Sequence, residues 1–166
     1  AIDNSGNITI DDNTNLDFEG TASYALTVQV NDGVNTPSSN TITVNITDVD
    51  DAPVQTTNNG MAVEQFTFSN GVAIAPGDLI TIDQDTTNAN LIYTITSAPS
   101  DGRIAFAGSP GTAITTFTQA DIAAGQVIYV PTTVDETTTS DSFAFTVSDG
   151  TSNAAGGPFT FNITYG

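Results

Sequence analysis

The segment Phe143-Ala144-Phe145-Thr146-Val147-Ser148-Asp149-Gly150 decides the fold class, because large apolar side chains alternate in it with small or polar ones. A period of two residues places Phe143, Phe145 and Val147 on one face of a β-strand, and the Asp-Gly pair that follows predicts a turn. A strand of this kind buries one face and leaves the other in water. The segment therefore predicts a half-buried strand of an antiparallel sheet.

The same alternation recurs along the chain, between turns rich in Gly, Asn, Asp and Pro at a spacing of roughly ten residues. It predicts strands at residues 7–10, 24–30, 41–46, 65–68, 79–82, 91–95, 102–106, 126–130, 142–147 and 159–163. Asp101-Gly102 is a signal for a hairpin turn. A short helical turn is predicted at residues 119–125, because Thr118 and Asp121 have the spacing of a capped first turn. The pattern as a whole is typical of an all-β sandwich.

The chain also contains an internal repeat. Residues 24–33 read YALTVQVNDG and residues 143–150 read FAFTVSDG, and a polar loop and a last strand follow each segment. The repeat predicts two related sandwich modules, residues 1–52 and residues 53–166. The second has enough strand candidates for a complete sandwich. The first has about three or four, so we expect the C-terminal part of a domain whose other strands lie before residue 1 or come from another chain.

The composition excludes several classes of function. Nineteen acidic residues face a single basic one, Arg103, which gives a formal charge of −18, and the chain has no His and no Cys. Binding to nucleic acid or to an anionic membrane is excluded because both need a basic surface. A catalytic triad, a thiolate site and a disulfide are excluded as well. No apolar run is long enough to cross a bilayer. Stability outside a cell without disulfides suits a bacterial surface protein.

The acidic residues are densest in Asp48-Val49-Asp50-Asp51-Ala52-Pro53, at the predicted boundary between the modules. Like charges this close repel, and the surrounding sequence offers no cation to pair with them. A hard cation that takes oxygen ligands, Ca²⁺ above all, would neutralise them and stiffen the joint. For the Asp residues scattered elsewhere, a purely solubilising role stays open.

The first module resembles the latter half of a cadherin-type domain. The matching pieces are Ala1-Ile2-Asp3 with Gly6-Asn7-Ile8, Leu16-Asp17-Phe18-Glu19, residues 24–33 and the linker at residues 48–53, which has one residue fewer before its proline than cadherin linkers. The second module is similar to cadherin-like repeats of the chondroitin-sulfate-proteoglycan type, through IDQD at residues 82–85, NANLIYTI at 88–95 and FTQADI at 117–122. The resemblance implies tandem antiparallel β-sandwiches of the cadherin and immunoglobulin-like Greek-key type, the first of them incomplete.

The resemblance also implies a calcium cluster at the joint. In cadherin-type tandems, an Asp-x-Glu and linker carboxylates of one domain meet an Asp-x-Asp, an Asn and a late Asp of the next. Carried over residue by residue, the implied ligands are Asp17, Glu19, Asp48, the carbonyl of Val49, Asp50 and Asp51, together with Asp83, Asp85, Asn88 and Asp149. Their carboxylates suffice for about two or three Ca²⁺ ions with six to eight oxygens each.

We therefore expect a non-enzymatic, calcium-rigidified extender module of a large secreted or cell-surface bacterial adhesin that supports cell adhesion or biofilm formation. Its partners would be neighbouring repeats of the same polypeptide, and a homophilic or strand-complementing contact through the incomplete first module stays open. The alternative is a calcium-dependent glycan- or peptide-binding module, for which Tyr129, Tyr165 and the loop at residues 135–141 are the candidates. The chain lacks Trp, and its aromatic residues sit mostly at inward strand positions, which argues against a substrate cleft.

Overall fold

In the computed structural model, which describes residues 2–3, 5–64, 70–132 and 137–165, the chain divides into two compact units, Ala1–Val49 and Asp50–Gly166. The division falls three residues before the predicted boundary between residues 52 and 53. Thirteen strands are present among the described residues, with one short α-helix and one 3₁₀ turn. The all-β prediction is confirmed.

Unit 1 contains one antiparallel pair, β1 (Ser23–Val30) and β2 (Ser38–Asn45). Tyr24 lies opposite Val44 and Leu26 opposite Ile42, so that the apolar side chains of both strands share one face. No described residue of this unit is buried. The shared face lines a cavity of about 440 Å³ and is the one that a second sheet covers in a complete sandwich.

The predicted strand at residues 7–10 is wrong. Ile8 forms only an isolated bridge with Ile2. The Asp3 carboxylate accepts hydrogen bonds from the backbone N–H groups of Ser5 and Asn7, each at 2.8 Å. The Asn7 amide donates to the same carboxylate at 2.8 Å. A short polar side chain thus binds the local backbone in place of a strand ladder.

Unit 2 holds the other eleven strands described. They are β3 (Val54–Asn58), β4 (Met61–Glu64), β5 (Val72–Ala73), β6 (Leu79–Ile82), β7 (Ile92–Ser97), β8 (Gly102–Phe106), β9 (Thr116–Thr118), β10 (Val127–Pro131), β11 (Ser140–Ser148), β12 (Asn153–Ala155) and β13 (Phe159–Thr164). The sheets run β4-β13-β11-β7-β9, with β12 also on β11, then β5-β10-β8 and β3-β6. Among the described strands, all pairs are antiparallel except β13 with β4, which run parallel. β4 and β13, which come first and last in the sequence among the strands of the six-stranded sheet, are neighbours in that sheet.

The core of unit 2 is aromatic. Phe143, Phe145, Phe159 and Phe161 are all buried, as the alternation predicts, and the Tyr129 and Phe161 rings stack with centroids 4.0 Å apart. Aromatic side chains contribute the largest buried areas of any residue type, so this cluster dominates the packing energy. The predicted strand at residues 65–68, with Phe66 and Phe68, lies outside the described residues.

Two local predictions in unit 2 have opposite outcomes. The helical turn is confirmed as α1 (Gln119–Ala123), with a capping box between Thr118 and Asp121. The hairpin at Asp101-Gly102 is wrong, because β7 pairs with β11 and β9 whereas β8 pairs with β10. The connection between β7 and β8 crosses from the six-stranded sheet to the three-stranded sheet. The backbone N–H of Asp101 donates to the buried Asp141 carboxylate at 3.0 Å, which holds this crossing in place.

Candidate metal centre

The loop after β6 is wound around Asp83. Oδ1 of Asp83 accepts hydrogen bonds from the backbone N–H groups of Asp85 at 2.9 Å and Thr86 at 2.6 Å. The backbone N–H of Asp83 itself donates to Oδ1 of Asn88 at 3.0 Å. Three of the residues implied as ligands, Asp83, Asp85 and Asn88, are therefore brought together by bonds within one short loop.

The other oxygen of Asp83 is different. Oδ2 is shielded from solvent and has no hydrogen-bond partner within the described part of the chain. Oδ2 of Asp149 is in the same situation, although its Oδ1 accepts from Thr151 N–H at 2.6 Å and Ser152 N–H at 2.7 Å. An ionised carboxylate oxygen that is buried without a partner is costly, and a bound cation removes that cost.

The Asp149 carboxylate is held in its charged form. Hydrogen bonds from the backbone of Ser152 and Thr151 lower the pKa of Asp149 below its ordinary value, against a smaller opposing effect of burial. An Asp that stays ionised suits a cation, because the metal needs a deprotonated ligand.

The two linker carboxylates of unit 2 are bonded to these same loops. The backbone N–H of Asp51 donates to Oδ2 of Asp85 at 2.6 Å, and the Gln84 amide donates to the Asp51 carboxylate at 3.0 Å. The Ser152 hydroxyl lies 2.5 Å from Oδ2 of Asp50. Asp50 and Asp51 therefore connect two loops, the one that contains Asp83 and Asp85 and the one that contains Ser152.

No side-chain cation serves this end of unit 2. The single basic residue of the sequence, Arg103, lies on β8, and its Nη1 donates to the carbonyl of Gly111 at 2.9 Å. The donor set consists of carboxylate and amide oxygens, with two buried oxygens left unpaired. Such a set matches a hard divalent cation of the calcium type rather than a metal that prefers nitrogen or sulfur.

The remaining implied ligands belong to unit 1. Oδ1 of Asp17 accepts from the backbone N–H groups of Glu19 at 3.1 Å and Gly20 at 3.2 Å, in the turn before β1. Asp48 and Val49 follow β2 and are exposed, as is Glu19. Their participation in a shared metal site stays a prediction.

Sequence reasoning missed Ser152 and misread Tyr129. The only signal for Ser152 is its place three residues after Asp149, in a turn whose backbone N–H groups face that carboxylate. Tyr129 is fully buried, and its hydroxyl donates to the Asp141 carboxylate at 2.8 Å. Tyr129 therefore belongs to the core and does not form a platform for a ligand. The loop predicted with it includes residues 135–136, which lie outside the described residues.

Comparisons with known proteins place the chain in a family. A family model described as cadherin-like matches residues 53–165, so the chain belongs to the cadherin-like family. The extracellular matrix organizing protein FRAS1 of Homo sapiens is 36% identical over 143 residues, 86% of this chain. Extracellular matrix protein 3 of Lytechinus variegatus is 31% identical over 73% of the chain, and chondroitin sulfate proteoglycan 4 of Homo sapiens is 32% identical over 64% of it.

Solved structures agree on the fold. Protocadherin gamma B2 extracellular cadherin domains 3–6 align over 90% of this chain and 34% of theirs, with a TM-score of 0.56 at 18% identity. Human protocadherin-24 EC1-2 aligns over 90% of this chain and 68% of its own, with a TM-score of 0.53 at 15% identity. The cadherin-type β-sandwich is thereby confirmed.

The chain spans only 3–4% of the length of these curated relatives. By name, these relatives are two extracellular matrix proteins and a chondroitin sulfate proteoglycan. Within the described residues, no helix has the length and apolar character needed to span a membrane.

Proposed function

We propose that this chain is a structural module of a large secreted or cell-surface adhesive protein, made rigid by Ca²⁺ bound at the joint between its two units. The observation that carries the proposal is the pair of buried, unpaired carboxylate oxygens, Oδ2 of Asp83 and Oδ2 of Asp149. In a chain with one basic residue, a cation from solution is the available counter-charge.

Six residues of unit 2 would hold the metal, with four of unit 1. The first group is Asp50, Asp51, Asp83, Asp85, Asn88 and Asp149, and the second is Asp17, Glu19, Asp48 and the Val49 carbonyl. Calcium supplies positive charge and accepts six to eight oxygens, so it would bind carboxylates that otherwise repel one another. Because one set precedes and one follows the joint, binding would stabilise a single arrangement of the two units.

Calcium would then act as a switch between compartments. Cytosolic calcium is scarce and extracellular calcium reaches the millimolar range, where weak extracellular sites fill. The joint between the units would be flexible in the cytosol, where the chain is synthesised, and rigid outside the cell. The lack of cysteine favours a bacterial adhesin as the full-length protein that contains this module. The module would then support cell adhesion or biofilm formation.

The partners in this proposal are neighbouring repeats of the same polypeptide. The apolar face of β1 and β2 is partly exposed to solvent, with Leu26 38% and Ile42 40% exposed. A homophilic or strand-complementing contact would form on this face, because an uncovered apolar sheet face seeks a covering layer.

Heat denaturation and solution scattering test the proposal together. Millimolar CaCl₂ should raise the melting temperature of the 166-residue chain and increase its maximum dimension, and an excess of chelator should reverse both effects. The same titration with MgCl₂ should give a smaller effect, because Mg²⁺ sheds its water reluctantly. A chain that responds to neither calcium nor chelator would refute the proposal. Saturable binding of a glycan or peptide in calcium would favour a ligand-binding module instead.

A further inference from the structure

One residue far along the sequence from the metal loop is bonded to the chain on both sides of that loop. The loop runs from Asp83 to Asn90, between β6 and β7, and carries three of the implied ligands. Before the loop, in β6, the Leu79 carbonyl accepts from the Gln119 side chain at 3.2 Å and the Thr81 N–H donates to that side chain at 3.1 Å. At its end, the Gln119 backbone N–H donates to the Leu91 carbonyl at 3.0 Å.

The Gln119 amide acts on β6 as a neighbouring strand would. Among the described strands, β6 pairs with β3 alone. The side-chain amide supplies one acceptor and one donor to Thr81 and Leu79, as the peptide group of an adjacent strand does. Gln119 thereby holds Leu79 and Thr81 at the edge of β6 that pairs with no described strand.

A buried hydroxyl network holds the amide itself. The Tyr93 hydroxyl lies 2.5 Å from Oε1 of Gln119 and 2.8 Å from the Thr81 hydroxyl. Tyr93 and Thr81 are completely buried and Gln119 is 9% exposed. Burial raises the pKa of Tyr93, so its hydroxyl stays protonated and able to donate. In such surroundings each of these polar groups depends on the others for its hydrogen bonds.

We infer that Gln119 is a positioning residue for the metal loop: through its side chain and its backbone it fixes both ends of the loop, so that Asp83, Asp85 and Asn88 are arranged for calcium before calcium binds. This inference rests on the proposed function. It predicts that calcium affinity falls when the network is cut, and that the loop loosens even in metal-free protein. Partners that orient metal ligands typically contribute about 10- to 100-fold to affinity.

Three single substitutions separate positioning from plain stability. Gln119→Leu removes the amide at similar volume, and Tyr93→Phe removes only the hydroxyl, which is the milder variant if Gln119→Leu fails to fold. Tyr129→Phe is the matched control. It removes an equally buried hydroxyl that is bonded to Asp141 and lies on β10, in a different sheet from β6.

Calorimetric calcium titration and amide hydrogen exchange on the 166-residue chain supply the two readouts. We expect Gln119→Leu and Tyr93→Phe to raise the Kd for calcium about tenfold. In chelator, both should speed the exchange of the Asp85 and Thr86 amides, which donate to Asp83. Tyr129→Phe should lower the melting temperature without either effect. Wild-type affinity and loop protection in the Gln119 and Tyr93 variants would overturn the inference while leaving the proposed function intact. A wild-type chain that binds no calcium would overturn both.

Discussion

Asp78 and Asp83 stand at the two ends of the same four-residue strand, β6, and their environments differ. Asp78 lies at the entry to the strand, and its backbone carbonyl accepts from Asn59 N–H at 2.9 Å. Asp83 follows the strand and has one buried carboxylate oxygen with no hydrogen-bond partner among the residues that the structure describes. The two are about 15 Å apart along an extended chain. An Asp→Asn substitution can therefore be made at the candidate metal site, at Asp83, and outside it, at Asp78.

Replacing Asp83 by Asn should change stability in opposite directions with and without calcium. In chelator, Asp83→Asn keeps the acceptor for the Asp85 and Thr86 amides and removes one of several neighbouring negative charges, so the free energy of unfolding should rise by about 1 kcal/mol. In saturating calcium, the variant lacks a charged ligand and should lose most of the calcium-dependent rise in melting temperature. Chemical denaturation in the two buffers measures both effects.

Asp78→Asn is the control for that experiment, because it changes the net charge of unit 2 by the same amount. It should leave the response to calcium as in wild type. If Asp83→Asn and Asp78→Asn behave alike in calcium, the ligand role of Asp83 is wrong.

Gly102→Ala should destabilise unit 2 because the residue faces the Tyr129 ring. A Cβ at this position would lie 2.3 Å from Cε2 of Tyr129, inside contact distance of a ring that is itself packed on Phe161. Overpacking of this kind costs about 1–3 kcal/mol. Gly108→Ala is the matched control, since a Cβ there meets nothing within 4 Å. Urea unfolding of the two variants should separate them by at least about 1 kcal/mol, and equal midpoints would contradict the packing described here.

Asp32, in the turn between β1 and β2, should titrate well below the ordinary value for an Asp carboxyl. Hydrogen bonds from the backbone of Asn35 and Val34, and from the Asn35 side chain, lower the pKa of Asp32 to about 2. A lowered folded-state pKa means that the charged form stabilises the fold above the ordinary value of 3.8. That contribution is lost as the pH falls from about 4 through about 2.

Carbon-detected NMR titration of the Asp32 carboxyl measures this directly. Asn35→Ala should raise the pKa of Asp32, because one donor to the carboxylate disappears. Asn31→Ala is the comparison, since the Asn31 side chain accepts from Gly33 N–H and does not bond the Asp32 carboxylate. An Asp32 that titrates near 4 in wild type would contradict the turn geometry.

Much of the fold follows from the sequence wherever a strand is long and regularly alternating. β11 and β13 were predictable because Phe143, Phe145, Phe159 and Phe161 recur at a period of two and are buried. Strands such as β9 and β12, at three residues each, carry too few side chains to show a period. The segment at residues 7–10 alternates in sequence, yet Asp3 captures its local backbone hydrogen bonds.

In the candidate site, too, the sequence predicts what is local and misses what depends on tertiary contacts. Asp83, Asp85 and Asn88 are close in sequence, so their grouping is visible in a motif of six residues. The contributions of Ser152 and Gln119 depend on tertiary neighbours, Asp50 for the first and β6 for the second. Local spacing therefore does not reveal what either side chain contributes to the site. The hairpin signal at Asp101-Gly102 failed for a similar reason, since the distant Asp141 carboxylate determines the path of that connection.

The most direct test of calcium binding at this centre is a calcium titration of the chelator-stripped, isotopically labelled 166-residue chain, followed by the backbone amide resonances. Saturable shifts should appear at Asp85 and Thr86, which donate to Asp83, and at Thr151 and Ser152, which donate to Asp149, while the amides of β8 and β10 stay in place. If these four amides do not move up to millimolar calcium, or move only in proportion to ionic strength, the two carboxylates do not form a calcium site.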